Sequence, residues 1–119
     1  MTLTLRAPGS KSMTQRGLML AALAAAPTLL RGALRCDDSR HLGALLEALG
    51  CDLRWQGDSV EITPSPALRA PERALHCGNA GTAVRFGACL ALVCQGALTL
   101  DGDEHMRRRP LGALVSALR

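Results

Sequence analysis

The fold is decided by residues 8–16, which read Pro-Gly-Ser-Lys-Ser-Met-Thr-Gln-Arg. The alternating stretch 2–6 before them predicts a β-strand, and the apolar run that continues to residue 26 predicts a helix. A strand, a glycine turn and a helix start leave backbone N–H groups free above the turn. Those donors and the positive end of the helix macrodipole together favour a bound anion. We predict that Ser12 caps this helix and that Arg16 lies one turn later on the same face.

Lys11 stands out within this stretch. The chain has 14 basic residues, and Lys11 is the single lysine among them. Lysine carries a compact point charge, whereas arginine carries a planar fork of donors. We interpret Lys11 as a position at which the compact charge is needed.

The composition favours anionic partners. The net charge is +4, which attracts anions of any kind. One Trp, one Phe and no Tyr occur among 119 residues, so a base-stacking surface for single-stranded nucleic acid is not expected. With 48% hydrophobic residues the chain predicts one domain, or part of a larger one, with a core of Leu, Ala and Val.

The cysteines and histidines indicate a reducing compartment and no metal. Five cysteines without a C-x-x-C pair are typical of free thiols. No signal-peptide pattern opens the chain, and the apolar run 18–30 is too short to cross a bilayer, so we expect a cytoplasmic protein away from membranes. His41, His76 and His105 lack the spacing of metal ligands, and we expect neither metal nor cofactor.

The remaining pattern predicts alternating strands and helices. In the first half we expect a strand over 28–35, a helix over 40–49 with Asp38 as its cap, and a hairpin of 51–56 and 59–63. In the second half we expect a strand over 74–77, a helix over 83–93, a strand over 97–101 and a last helix that opens at Pro110.

The second half repeats the first. The tetrapeptide Leu-Gly-Ala-Leu at 42–45 recurs at 111–114, an offset of 69 residues (111 − 42) that also places Gly9 on Gly78. One βαβαββ unit is therefore used twice, as unit one over about 2–63 and a truncated unit two over about 74–119. This predicts an α/β fold with parallel strands joined by helical crossovers, incomplete within the chain.

The candidate binding residues are basic or lie at glycine turns. By the offset of 69, Arg85 corresponds to Arg16, and each lies four residues into a helix that follows a glycine turn. Gly81 offers a bare backbone to a small ligand, with Asn79 in the same turn. The three arginines of 107–109 also remain candidates. The alternative for each is a solvated side chain, paired in the last case with nearby acids.

These motifs together resemble one enzyme family. They are Pro-Gly-Ser-Lys-Ser with Arg16, Asp-Asp at 37–38 before Arg-His, Gly-Asn-Ala-Gly-Thr-Ala at 78–83 with Arg85, and Met106 before Arg-Pro at 109–110. In this order and spacing the chain resembles the N-terminal part of 5-enolpyruvylshikimate-3-phosphate synthases. The resemblance implies a two-lobed enzyme in which each lobe is an inside-out α/β barrel of three βαβαββ units, and residues 1–119 are a fragment of it.

The resemblance also implies the chemistry. The family transfers the enolpyruvyl group of phosphoenolpyruvate to the 5-hydroxyl of shikimate 3-phosphate, on the shikimate pathway to aromatic amino acids, and members with glycine at the position of Gly81 are glyphosate targets. It implies catalytic contacts from Lys11 and Arg109, and general acid and base groups from later in the family sequence. The implied substrate-binding residues are Lys11, Ser12, Arg16, Asn79, Gly81, Thr82, Arg85 and Arg109, with Asp38 as a further candidate.

Two alternatives stay open from the sequence. A related family transfers enolpyruvyl to UDP-N-acetylglucosamine, but its members carry Lys-Asn after the first turn, whereas Ser12 follows Lys11 here. A non-catalytic anion-binding or nucleic-acid-binding module could instead use the arginines of 107–109. By resemblance, the rest of the enzyme chain is needed to complete the fold, and the isolated fragment is expected to be inactive.

Overall fold

The structure is a computed structural model that describes residues 1–119. The first half of the chain forms two helices and an antiparallel sheet of three strands. β2 and β3 form the predicted hairpin around Gly57, whose φ is 59°. β1 pairs with the other edge of β3, so the order is β1-β3-β2. The elements are α1 (Lys11–Ala22), β1 (Thr28–Leu30), α2 (Asp37–Ala48), β2 (Asp52–Gln56) and β3 (Ser59–Thr63).

The second half forms a parallel strand pair with a helical crossover, as the repeat predicted. β4 and β5 pair in parallel with His76 opposite Asp101, and α3 connects them. Because parallel strands end at the same edge, this pairing brings the turn after β4 beside the loop after β5. The elements are β4 (Leu75–His76), α3 (Gly81–Leu90), β5 (Leu100–Asp101), α4 (Glu104–Arg107) and α5 (Gly112–Ala117).

The core lies between the three longer helices and one face of the antiparallel sheet. α2 packs against both α1 and α3, and α1 also packs against β3. On α2 the leucines recur at the helical spacing i, i+3, i+4, i+7, so one stripe turns inward. These residues, Leu42, Leu45, Leu46 and Leu49, are at most 2% exposed. None of the five helices is long and apolar enough to cross a membrane.

The first predicted strand is absent. Residues 2–6 have no regular structure, and Leu3 and Leu5 are 77% and 81% exposed. A strand forms when a neighbour pairs its backbone groups and buries one of its faces, and nothing in this chain does either for 2–6. The expectation of parallel strands is also wrong for the first half, because β1 runs antiparallel to β3. The division into units of about 2–63 and 74–119 stays a prediction.

The helix starts differ from the predicted ones because other side chains make the caps. Ser10, not Ser12, caps α1 by accepting a hydrogen bond from the Met13 N–H at 3.3 Å. α2 begins at Asp37, with Cys36 at the cap position, so the prediction of Asp38 as cap is wrong. The buried Ser39 hydroxyl accepts from the Cys36 N–H at 2.9 Å and stabilises that start. Asp38 therefore belongs to the first turn, where its carboxylate is available for another partner.

Near the end of the chain the structure adds a helix. The four-residue α4 was not predicted; Asp103 caps it by accepting from the Met106 N–H at 2.8 Å. The last helix begins at Gly112, two residues after the predicted opening at Pro110, and none of its residues is buried. Arg109 follows the end of α4 after one intervening residue, Arg108.

Candidate active site

The start of α1 is fixed against the loop that leads into α2. Gly9 lies so close to the Gly32 carbonyl that a side chain there would collide with the backbone. One turn into α1, the Thr14 hydroxyl accepts from the Leu34 N–H at 2.9 Å. These contacts place the first turns of α1 and α2 side by side.

Lys11 and Asp38 meet across those two first turns. The Lys11 Nζ lies 3.2 Å from an Asp38 carboxylate oxygen. The lysine side chain remains 54% exposed, so the ammonium keeps donors for a second, external anion. The Asp38 carboxylate therefore orients the Lys11 ammonium but leaves about half of the side chain open to solvent.

A second cluster surrounds the start of α3. The Arg85 guanidinium donates to the Gly81 carbonyl at 3.2 Å, and the Arg109 Nη2 donates to the Asn79 side-chain oxygen at 2.7 Å. A Cβ added at Gly81 would lie 2.6 Å from the Arg109 Nη1 and 3.0 Å from the Arg85 Nη1. Two guanidinium groups therefore converge on the bare backbone of one glycine.

The helix that starts at Gly81 has no side-chain cap, in contrast to α1. Ala80 occupies its cap position, and the backbone N–H groups of Thr82 and Ala83 have no hydrogen-bond partner. Unsatisfied donors at a helix N-terminus attract an anion through their dipoles. Here they lie beside the two arginines, so charge and dipoles act on the same space.

The structure distinguishes the three consecutive arginines. Arg107 forms two hydrogen bonds with Asp101, from Nε at 2.9 Å and from Nη2 at 2.7 Å. Arg108 forms an ion pair with Glu104, one turn earlier on the same helix. The solvated-loop alternative, with acids as partners, therefore describes these two. Arg109 differs, because its hydrogen-bond partner is the neutral amide of Asn79 and its charge remains uncompensated.

Comparison with known proteins identifies the family of this chain. The family model for EPSP synthase (3-phosphoshikimate 1-carboxyvinyltransferase) matches residues 1–119. The chain belongs to this family. It resembles the 3-phosphoshikimate 1-carboxyvinyltransferase of Rhizobium leguminosarum bv. trifolii, with 46% identity over 113 residues that cover 94% of this chain and 27% of the relative. The enzyme of the same name from Mycobacterium ulcerans is 45% identical over 121 residues, covering 98% of this chain and 28% of the relative.

Solved structures of the EPSP synthase family confirm the fold class. A structure of EPSP synthase from Acinetobacter baumannii superposes with a TM-score of 0.88 at 27% identity, over 94% of this chain and 26% of the other. A second structure of that enzyme gives a TM-score of 0.85. The fold is the predicted inside-out α/β type. The chain spans about 27% of the length of the curated relatives it matches.

One residue next to these clusters, His41, was missed by the sequence reasoning. The His41 ring packs directly on Gly78, the turn glycine before α3, whose φ is 53°. His41 lies one turn after Asp38 on α2, so this helix connects the Lys11–Asp38 pair to the turn that carries Asn79. The offset of 69 identified Gly78 as a turn, but no sequence signal shows which side chain packs on it.

Not every predicted site residue joins one of the two clusters. Ser12 and Arg16 are exposed, and their side chains make no hydrogen bond or ion pair. Thr82 is half-buried in the first turn of α3. The structure brings together Lys11 with Asp38, and Asn79, Gly81 and Arg85 with Arg109. The roles of all these residues stay predictions.

Electrostatics divides the site into neutralised and free charge. Hydrogen bonds from Arg107, and then from the Gly102 N–H, hold the pKa of Asp101 well below its usual range. Burial raises the pKa of the Cys77 thiol, as does the negative charge of Asp101, so Cys77 is an uncharged core group at neutral pH. No three His, Cys, Asp or Glu side chains in the chain are grouped to hold a metal ion. The positive charge without an acidic partner lies on Arg85 and Arg109, whereas Lys11 is paired with Asp38 and stays 54% exposed.

Proposed function

We propose that this chain supplies part of the substrate site of a 3-phosphoshikimate 1-carboxyvinyltransferase (EC 2.5.1.19). The reaction transfers the enolpyruvyl group of phosphoenolpyruvate to the 5-hydroxyl of shikimate 3-phosphate. The observation that carries the proposal is the convergence of Arg85 and Arg109 on Gly81, at a helix start without a side-chain cap. Two cations and two free N–H groups suit a small ligand with several negative charges.

The cluster at Gly81 is the proposed phosphoenolpyruvate pocket. Arg109 meets the phosphate or carboxylate of this substrate, while the Thr82 N–H and the absence of a side chain at Gly81 let the anion approach the backbone. Because the Arg109 charge is uncompensated in the free chain, binding costs no ion pair within the protein. Asn79 orients the guanidinium through a neutral hydrogen bond.

Lys11 and Asp38 form the proposed junction between the two substrates. In the reaction the 5-hydroxyl loses its proton as its oxygen bonds to C2 of phosphoenolpyruvate and C3 gains a proton. The bond between C2 and the bridging phosphate oxygen then breaks as C3 loses a proton. Charge shifts onto the bridging phosphate oxygen as phosphate departs, and a positioned ammonium stabilises that charge. Asp38 holds the Lys11 ammonium at 3.2 Å. Ser12 and Arg16, free of protein partners, are proposed to bind shikimate 3-phosphate, and the proton transfers are assigned to groups outside this chain.

Phosphate release by the full-length protein tests the proposal. Phosphate should appear only when phosphoenolpyruvate and shikimate 3-phosphate are both present, and UDP-N-acetylglucosamine should not replace the second. Arg109→Gln should lower kcat/KM about 100-fold or more, as expected for a lost charged contact to the transition state. Arg108→Gln is the matched control, because Arg108 pairs within its own helix. Turnover with phosphoenolpyruvate and UDP-N-acetylglucosamine but not with shikimate 3-phosphate would refute the assignment, as would equal effects of the two variants.

The nucleic-acid alternative is weakened by the ion pairs. Two of the three consecutive arginines are matched by acids, which leaves one uncompensated charge in place of a basic strip. The proposal includes a cytoplasmic location, which suits the five free cysteines.

The 119-residue chain alone is expected to bind shikimate 3-phosphate weakly and to catalyse nothing, since α5 buries no residue and Leu92 is 62% exposed. Calorimetric titration and light scattering on that chain measure both properties.

A further inference from the structure

We propose that Asp101 and Arg107 are a positioning pair: their bidentate ion pair fixes the end of α4 and thereby aims Arg109 at Gly81. The inference rests on the proposed function for the role of Arg109. It adds two residues, Asp101 and Arg107, that contact no substrate themselves and act through Arg109.

The first partner is anchored in the sheet. Asp101 ends β5, opposite His76 of β4, and its carbonyl accepts from the Cys77 N–H at 2.8 Å. Its carboxylate also accepts from the Gly102 N–H at 2.8 Å, which orients both oxygens. A carboxylate held by the backbone on a paired strand is a fixed point from which another element can be positioned.

The second partner lies on an element that needs such a fixed point. α4 has four residues, too few for a helix that is stable by its own hydrogen bonds. Its start is held because the Asp103 N–H donates to the Gly78 carbonyl at 3.0 Å and Met106 is 3% exposed. Its end is held by Arg107, through two hydrogen bonds to Asp101. A bidentate pair fixes direction as well as distance.

Arg109 follows directly from that end. It lies two residues after Arg107, and its backbone N–H donates to the Met106 carbonyl at 3.0 Å. Its guanidinium then returns to Asn79 and Gly81 at the start of α3. Sheet, ion pair, α4 and guanidinium thus form one continuous chain of contacts that ends over the glycine.

The neighbouring ion pair offers an internal control. Glu104 is the first residue of α4 and Arg108 is the residue that caps its end. Their ion pair therefore does not connect the helix to any other element. It resembles the Asp101–Arg107 pair in charge and in exposure of the arginine, at 71% against 66%. Removal of Arg108 therefore subtracts a similar charge without releasing α4 from the sheet.

The test is a double-mutant cycle on the full-length protein with Asp101→Asn and Arg107→Gln. Each single variant should raise the KM for phosphoenolpyruvate about tenfold, because a misplacement of about 1 Å can cost a factor of 100. The KM for shikimate 3-phosphate should change less than twofold. The double variant should be no worse than either single one, since both remove the same interaction. Glu104→Gln and Arg108→Gln should leave both constants within a factor of two.

Amide hydrogen exchange of residues 104–109 gives a second readout that needs no substrate. Exchange there should accelerate in Asp101→Asn and stay unchanged in Glu104→Gln. If the wild-type protein fails to turn over the two substrates but exchange follows this pattern, the proposed function is wrong and the tether is real. Additive losses in the cycle would identify Arg107 as a direct ligand. That result, or equal effects of the two arginine pairs, would overturn the proposal.

Discussion

Replacement of Gly81 by alanine tests whether Arg109 must lie where the structure places it. The new Cβ would lie 2.6 Å from the Arg109 Nη1, against an ordinary contact of about 3.4 Å, so the guanidinium must retreat by about 0.8 Å. Because the obstructed atom is the end of a flexible side chain, the free energy of unfolding should change little. A displacement of this size at a charged contact should raise the KM for phosphoenolpyruvate about tenfold or more.

The assay is steady-state phosphate release by the full-length protein, with phosphoenolpyruvate varied at saturating shikimate 3-phosphate. Glyphosate, which the family resemblance places in the same pocket, should inhibit the wild-type protein, and its inhibition constant should rise in Gly81→Ala. Gly112→Ala is the matched control, because a Cβ there meets no atom within 4 Å. An unchanged KM and an unchanged inhibition constant in Gly81→Ala would refute the reasoning that the bare backbone and Arg109 share one pocket.

Three further predictions concern other parts of the molecule. Lys11→Arg should lower kcat/KM by the equivalent of roughly 2–4 kcal/mol of transition-state stabilisation. Arg31→Lys is the control and should be neutral, because Arg31 is exposed and has no ion pair. Equal activities of the two variants would contradict the role of the ammonium. Gly78→Ala should lower the denaturation midpoint more than Gly57→Ala: both have positive φ, costing about 1–2 kcal/mol, but only the first meets a histidine ring. The pKa of Asp101 is lowered on folding, so its stabilising effect should be complete above about pH 4 and lost as the pH falls further. Unfolding of the wild-type protein and Asp101→Asn across pH measures it, and a difference that grows on acidification would contradict the sign.

The local signals in the sequence predicted most of the helices and one hairpin correctly. The glycine at 57 between two alternating stretches predicted the β2–β3 turn, and the pattern over 40–49 predicted most of α2. These succeed because hydrophobic period and turn chemistry act within a few residues of the chain. The caps were less predictable, since Ser10 and Ser12 are equally good cap residues and a shift of two residues in the helix start decides between them.

The candidate site was likewise predicted only in part from the sequence. The sequence by itself determined that Lys11, Gly81, Arg85 and the arginines of 107–109 lie at glycine turns and helix ends, because motif spacing fixes local geometry. It could not show that 2–6 lacks a pairing partner, since strand formation depends on a distant neighbour.

Only the tertiary structure decided which arginine is free. The family resemblance singled out Arg109, but nothing in the local sequence shows that Arg107 and Arg108 are neutralised and Arg109 is not, because their partners lie up to 30 residues away. The parallel pairing of β4 with β5 supplies Asp101 to the first, the α4 turn supplies Glu104 to the second, and the turn before α3 offers the third a neutral amide. Charge compensation is a property of distance in space, and the chain order does not contain it.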